Sequence, residues 1–205
     1  MLSVENLDCV RQEKYIFAGL SFQLKAGEVL WVQGRNGAGK SSLLRIVAQF
    51  LKPAAGQLFW QGSDIAEDPD NYSKSFEYIG HQDALKSALS PRENLQFWMQ
   101  YRGSNGLSEA LSALELSDIA DYPARNLSAG QKKRSNLARL IACPAPLWIL
   151  DEPISSLDRH HIDLFRNLLT KHLENGGMAL LATHQDLKLG NERVLDLDKV
   201  QRSPS

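Results

Sequence analysis

Apolar and polar residues alternate along Gly19-Leu20-Ser21-Phe22-Gln23-Leu24, the two-residue period of a half-buried strand. Leu2 to Leu7 reads as a strand before it. Lys25-Ala26-Gly27-Glu28 is a turn into a third, apolar strand, Val29-Leu30-Trp31-Val32. After Ser41 the period becomes helical, with Ser42-Leu43-Leu44-Arg45-Ile46-Val47 opening a helix. Leu58-Phe59-Trp60-Gln61-Gly62 predicts a short strand ending in a turn at Gly62-Ser63-Asp64. The polar run from Glu67 to Ser75 predicts a loop, and Glu77-Tyr78-Ile79-Gly80 another strand.

The pattern changes at Asp83. Ser90-Pro91-Arg92-Glu93 has the serine cap, first-turn proline and back-reaching glutamate of a helix start. Leu95, Trp98 and Met99 give that helix an apolar face, Gly103 to Gly106 breaks it, and Ser108 to Leu116 starts a second. Ala84 to about Arg125 therefore reads as a mostly helical insert. With the helix Gln131 to Ala142 it makes a helical subdomain of approximately 84–145 within a single domain of 1–205. Leu147-Trp148-Ile149-Leu150 and Met178-Ala179-Leu180-Leu181-Ala182 predict buried strands. Between them Ile162, Phe165, Leu169 and Leu173 share one face of an amphipathic helix. The C-terminal end shows no defined element. Strands alternating with helices argue for a parallel α/β core.

The chemistry centres on Gly34-Arg35-Asn36-Gly37-Ala38-Gly39-Lys40-Ser41, which fits the phosphate-loop pattern G-x-x-x-x-G-K-[ST]. Its glycines let backbone amides turn inward with no Cβ in the way, and the following helix adds the positive end of its dipole. Lys40 supplies a charge for the β- and γ-phosphates, and the Ser41 hydroxyl can ligate Mg²⁺. A strand before the motif and a helix after it separate this from a glycine-rich turn. They imply binding of a nucleoside triphosphate.

Two further stretches narrow the chemistry. Leu147-Trp148-Ile149-Leu150-Asp151-Glu152 is an apolar strand ending in two carboxylates. Beside a phosphate loop, Asp151 is held next to a Mg²⁺ shell, and Glu152 can polarise a water attacking the γ-phosphate. In Leu127-Ser128-Ala129-Gly130-Gln131, Ser128 and Gln131 fit a capping box, and a serine-capped helix start is also an anion site. This stretch, placed shortly before the Asp151-Glu152 strand, resembles the signature motif of ABC transporter ATPases. Gln82 after a strand, Ser156-Leu157-Asp158 after Glu152, and Thr183-His184 after the last buried strand complete that family's set in its order. The resemblance covers nearly the whole chain. Kinases and GTPases carry phosphate loops without the signature motif.

The resemblance implies an α/β P-loop NTPase: a RecA-like parallel core, an N-terminal antiparallel β subdomain, and a helical insert bearing the signature. It implies an ATPase using ATP and Mg²⁺. Gly34, Arg35, Asn36, Gly37, Ala38, Gly39, Lys40, Ser41 and Ser42 would hold the phosphates, and Ser41, Gln82 and Asp151 would attend the metal. Glu152, His184 and Gln82 would form the catalytic group. Two copies would pack head to tail around two ATP molecules, with Ser128 and Gly130 of one copy facing the phosphate loop of the other. Asp158 would lie across that interface. Ala129 stands where the family usually has glycine; its methyl group is tolerated if φ stays negative. Counting back from Gly27-Glu28, Arg11 takes the position of the usual adenine-stacking aromatic. A guanidinium can also lie flat on a base, and Tyr15 is the alternative.

Within that family, the run from Gly80-His81-Gln82-Asp83 through Ser90 into Glu93-Asn94-Leu95-Gln96-Phe97-Trp98 is similar to the CcmA family of cytochrome c maturation, or haem exporter, ATPases. The segment from Arg11 to Phe22 is similar to it as well. This likeness implies a peripheral protein on the cytoplasmic face of the bacterial inner membrane, bound to CcmB-like and CcmC-like integral subunits. Hydrolysis would drive haem export or release of a haem-loaded chaperone. Leu85, Leu89, Phe97 and Trp98 are candidates to meet the partner's cytoplasmic helix, with the core of the insert as their other role. The ATPase of another exporter (drug, lipid or lipoprotein) and a soluble non-transport ABC ATPase are the alternatives.

Bulk composition changes this picture little. A chain of 205 residues, 43% hydrophobic and 23% charged, can bury a real core, and a net charge of −1 gives no pull toward nucleic acid. Two distant cysteines, Cys9 and Cys143, make no disulfide framework. The first residues lack a signal-peptide pattern, and no apolar run approaches the ~20 residues of a membrane span. Cys143-Pro144 reads as a cysteine before a turn proline. His160-His161 reads as a solvated helix start without further ligands nearby.

Overall fold

The computed structural model describes residues 1–190 and 192–201. β1 (Leu2–Arg11) and β2 (Lys14–Leu24) form a hairpin closed by Gln12 and Glu13, both at positive φ, as a tight two-residue hairpin turn requires. β1 runs past Leu7, where the predicted strand stops, and its register with β2 shifts between Val4 and Leu7 and again at Cys9. Those irregularities break the two-residue period that marks a strand in sequence. β3 (Val29–Gln33) belongs to a second sheet, while β4 (Ala55–Trp60) pairs with the free edge of β1 and carries β5 (Ser63–Asp64). The first sheet is therefore antiparallel, in the order β2-β1-β4-β5.

The second sheet contains β3, β6 (Phe76–Ile79), β7 (Leu147–Asp151), β8 (Met178–Ala182) and β9 (Arg193–Asp196), all parallel, in the order β6-β7-β8-β3-β9. Every residue of β7 and β8 is buried. Their side chains alternate between two hydrophobic clusters, as the pleat dictates. Leu147, Ile149, Met178 and Leu180 join α1 (Lys40–Val47) and the antiparallel sheet on one face. Trp148, Leu150, Ala179 and Leu181 meet the other helices on the opposite face. Those helices are α3 (Pro91–Arg102), α4 (Leu107–Ala113), α5 (Ala129–Leu137), α6 (Arg139–Ala142) and α7 (Arg159–Glu174), with the short α2 (Pro69–Lys74) packed through Tyr72 on the first face.

The predicted capping box at α3 is present in full: the Ser90 hydroxyl accepts from the Glu93 amide, and Glu93 accepts from the Ser90 amide. Other elements depart from expectation as well. The Glu67–Ser75 loop contains α2, capped by Asp68 and started by Pro69; with one buried residue in its six, Tyr72, it has no apolar stripe to read. The helix Gln131 to Ala142 starts earlier, at Ala129, and divides at Ala138 into α5 and α6. The undefined C-terminal end supplies β9, an edge strand on β3 whose Arg193 and Val194 are exposed. An exposed edge needs little apolar pattern.

One polar knot ties the helices to the sheet. Glu77 of β6, 1% exposed, pairs with Arg139 of α6 and with Arg102 of α3, 3.1 Å away. Arg102 also donates to the Ser73 and Phe76 carbonyls, and the Arg139 guanidinium lies 3.9 Å from the Trp98 ring centroid. Burial pushes the Glu77 carboxyl upward against the pull of both arginines. Glu77→Gln would leave the buried Arg139 and the partly buried Arg102 without their carboxylate. It is expected to cost about 3–5 kcal/mol of stability, read as a lowered midpoint in urea unfolding; an unchanged midpoint would show the knot to be inert.

Candidate active site

Parallel register sets the site. Val32 of β3 pairs with Ala182 of β8, and Ala182 pairs with Asp151 of β7. The three strands therefore end on one level, and the chain leaves them side by side as Gly34, Thr183-His184 and Glu152. Ligand crevices form at such carboxyl edges. Here an open cleft of ≈ 620 Å³ is lined by residues from all three exits, by α1 and by the loop beyond β6.

The phosphate loop closes one wall. Lys40 Nζ donates to the Gly34 carbonyl at 2.7 Å, folding the side chain back over its own loop. Gly39 caps α1 at φ 103°, and a Cβ there would sit 2.5 Å from Ile16 Cγ2 and 3.2 Å from Phe17 Cδ1. Glycine is needed at this position for both reasons. Arg35 is tied to the C-terminal segment: its amide donates to Asp198 Oδ2 at 2.8 Å, and its guanidinium pairs with the same carboxylate at 3.4 Å.

The opposite wall is acidic. Asp151 is 3% exposed, and its Oδ2 has no hydrogen-bond partner. Glu152 follows at φ 51°, an uncommon conformation for a glutamate. Its amide bonds the Ala182 carbonyl at 2.8 Å, and its own carbonyl accepts from the Ser155 hydroxyl at 3.0 Å. Glu152 Oε1 is buried without a hydrogen bond, with His184 Nε2 3.7 Å away. The Trp31 indole donates to the Thr183 carbonyl at 2.9 Å and so fixes the base of the histidine loop. Two carboxylates with unspent acceptor capacity thus share one cleft with the phosphate loop and Lys40. That arrangement can hold a hydrated cation and an anion together.

Nine of the predicted residues meet in this cleft: Asn36, Gly37, Gly39, Lys40, Ser41, Ser42, Asp151, Glu152 and His184. Gly34, Arg35 and Ala38 shape the loop without lining the cleft. Gln82 does not line it either; it is exposed, and its neighbour His81 takes that place. The loop carrying them is pinned by α5, whose buried Lys133 pairs with Asp83 at 3.1 Å and whose Asn136 reaches the same carboxylate at 3.4 Å. Arg11 and Tyr15 are exposed on the β1–β2 hairpin, and Ile16 is the residue of that hairpin in the cleft.

Ser128 and Gly130 lie outside the cleft, at the start of α5. Ser128 makes the reciprocal capping bonds with Gln131, at 3.2 and 2.8 Å, and its surface is open. Ala129 is helical, with φ outside the positive range, so the extra methyl group is accommodated. A Cβ on Gly130 would stand 2.9 Å from the Ser156 carbonyl, so this glycine lets α5 pack on the segment that leads to Asp158. Ile16, His81, Ser155 and the anchoring Asp198 were not expected. No local signal marks them, since Asp198 lies 163 positions from the loop that it holds.

The ABC transporter family profile matches residues 17–155. A protein of Rhodospirillum rubrum named cytochrome c biogenesis ATP-binding export protein CcmA is 50% identical over 98% of this chain and 87% of its own length. Its counterpart of the same name in Paramagnetospirillum magneticum is 46% identical over 96% and 94%. Among solved structures, a dimeric bacterial ABC transporter cassette superposes with a TM-score of 0.83 at 25% identity, over 98% of this chain and 97% of that one.

Gly39→Ala forces both a positive φ and contact with the hairpin, so the loop must shift. ATP affinity is expected to fall by roughly tenfold or more, equivalent to about 1.4 kcal/mol. A fluorescent-nucleotide titration beside a circular dichroism spectrum would show this; full affinity in a folded variant would remove the steric argument.

Proposed function

The chain belongs to the ABC transporter family of ATP-binding subunits, and from that premise we propose that it is the ATP-hydrolysing subunit of a membrane complex in cytochrome c biogenesis. Relatives named for that export role at 50% and 46% identity over nearly the whole chain support the assignment. The single observation behind the chemistry is the meeting of the phosphate loop with two under-bonded carboxylates, Asp151 and Glu152, in one open cleft.

ATP enters with its phosphates on the amides of Gly37 to Ser42, and Lys40 exchanges the Gly34 carbonyl for phosphate oxygens. Ile16 offers an apolar wall toward the base, with Arg11 or Tyr15 on the same hairpin as the stacking group. The oxygen donors Ser41 and Asp151, with Asp151 Oδ2 unsatisfied, fit Mg²⁺, and Gln82 on the adjacent loop is the third candidate. When bound, Mg²⁺ neutralises charge on the phosphates. Glu152 orients the attacking water and accepts its proton, and His184 beside it contacts the γ-phosphate.

The lid comes from a second copy. Ser128 and Gly130 lie outside their own cleft at a capped helix start, and the dimeric cassette of similar fold gives the precedent for pairing. Asp158 then lies at the interface. No helix among the described residues is long and apolar enough to cross a membrane. In this reading CcmB-like and CcmC-like integral subunits hold the chain at the cytoplasmic face. Phe97 and Tyr101, one turn apart on α3, are 43% and 74% exposed and offer a docking face; Trp98, under Arg139, belongs to the core of the insert.

Glu152→Gln keeps the shape of the cleft and removes the base. Steady-state ATP hydrolysis in the assembled complex is expected to fall by about 10²–10⁴-fold while ATP binding persists. Unchanged turnover would exclude Glu152 from this role.

A further inference from the structure

His160 and His161 begin α7, and the fold corrects the expectation that they stand without other ligands. Glu115, in the turn after α4, reaches both from 45 positions away in sequence. Its Oε1 is 2.8 Å from His160 Nε2 and its Oε2 is 3.5 Å from His161 Nε2. The three side chains each offer a ligand atom, and these atoms lie within 4.8 Å of one another. We propose that Glu115, His160 and His161 form a binding site for a divalent transition metal ion of the Zn²⁺ class, with Asp158 as the positioning residue. Nothing in the ATPase chemistry uses these three groups.

The second observation concerns the bonding of His161. Its Nδ1 faces Asp158 Oδ1 at 2.7 Å, which draws the ring proton to that nitrogen. Nε2, on the other side of the ring, is buried with no hydrogen-bond partner. It faces Glu115 Oε2 at 3.5 Å, a spacing that suits two ligand atoms sharing one metal ion at about 2 Å each. Carboxylate to imidazole to metal is the arrangement by which outer-shell groups fix the tautomer of a ligating histidine. Glu115 is placed from its other side by Arg134 of α5, whose Nη1 donates to the Leu114 and Glu115 carbonyls at 2.8 and 2.7 Å.

Donor chemistry selects the ion. Two imidazoles and one carboxylate suit Zn²⁺, Co²⁺ or Ni²⁺ and disfavour Mg²⁺, which prefers an all-oxygen shell. Two of the groups, Glu115 and His160, are half exposed or more, so an entry path and a place for a water ligand are open. A metal here would join the turn after α4 to the helix that follows Asp158. It would thereby link the helical insert to the segment proposed to lie at the dimer interface.

The test uses the full chain, stripped with a chelator and titrated with Co²⁺ in the absence of nucleotide. Binding of one Co²⁺ per chain is expected, with the strong visible absorption of a low-coordinate imidazole site, and Zn²⁺ should abolish it by competition. Glu115→Gln, and separately His160→Ala combined with His161→Ala, should weaken binding at least by the roughly 10–100-fold that loss of an outer-shell partner costs. Glu115 is exposed, so its variant keeps the test valid if the double variant misfolds. Cys9 and Cys143 are buried, and their replacement by serine should leave the spectrum intact. No Co²⁺ binding by the wild-type chain, or equal binding by folded Glu115→Gln, would overturn the proposal whatever the fate of the ATPase assignment.

Discussion

The level end of β3, β8 and β7 is the constraint on which the remaining structure depends. Because Val32, Ala182 and Asp151 stand in register, three unrelated stretches of chain deliver their polar residues to one edge. Hydrophobic burial on both faces of β7 and β8 makes that register costly to change. A slip of one residue would move every side chain to the opposite cluster. The sheet therefore fixes the separation between the phosphate loop and the Asp151-Glu152 pair without any direct bond between them. Local strain at Glu152, φ 51°, is borne by the ladder bond to Ala182 and the Ser155 hydroxyl.

The helical side is attached to this edge by charge. Glu77 holds α3 and α6 against β6, and five residues later the chain carries Gln82. Lys133 and Asn136 then clasp Asp83 from α5, the same helix whose first turn exposes Ser128. A movement of α5 relative to the sheet must therefore move the Gln82 loop or break a buried ion pair. Such a connection is a physical route between α5, the cleft edge and the exposed Phe97 and Tyr101. On the far side, Gly130 rests on the Ser156 carbonyl, so α5 is coupled to Asp158 as well.

Much of this was legible in sequence where local chemistry and local geometry coincide. The phosphate loop, both capping boxes and the buried strands each announce themselves within ten residues. The parallel core and the ABC resemblance followed from those elements in order, and the antiparallel sheet followed from the resemblance. What sequence hid is long-range or weakly patterned: α2 with a single buried tyrosine, β9 on an exposed edge, and Asp198 holding Arg35 across the fold. Gln82 and His81 exchange places at the cleft because side-chain direction beyond a strand end follows loop geometry, which spacing does not encode. Glu115 reached His160 and His161 for the same reason, through packing of the insert on α7.

Sharing of each site between two copies is the claim that most needs a direct measurement. Asn36→Cys on the phosphate loop and Ala129→Cys beside Ser128, placed together in one chain, put thiols on surfaces that a single copy keeps apart. Both positions are exposed, and the native cysteines are buried. Under mild oxidation with ATP, in a hydrolysis-deficient background, a disulfide-linked dimer should form, and without nucleotide it should not. A chain that stays monomeric with ATP, or that closes the bond within itself, would contradict the account.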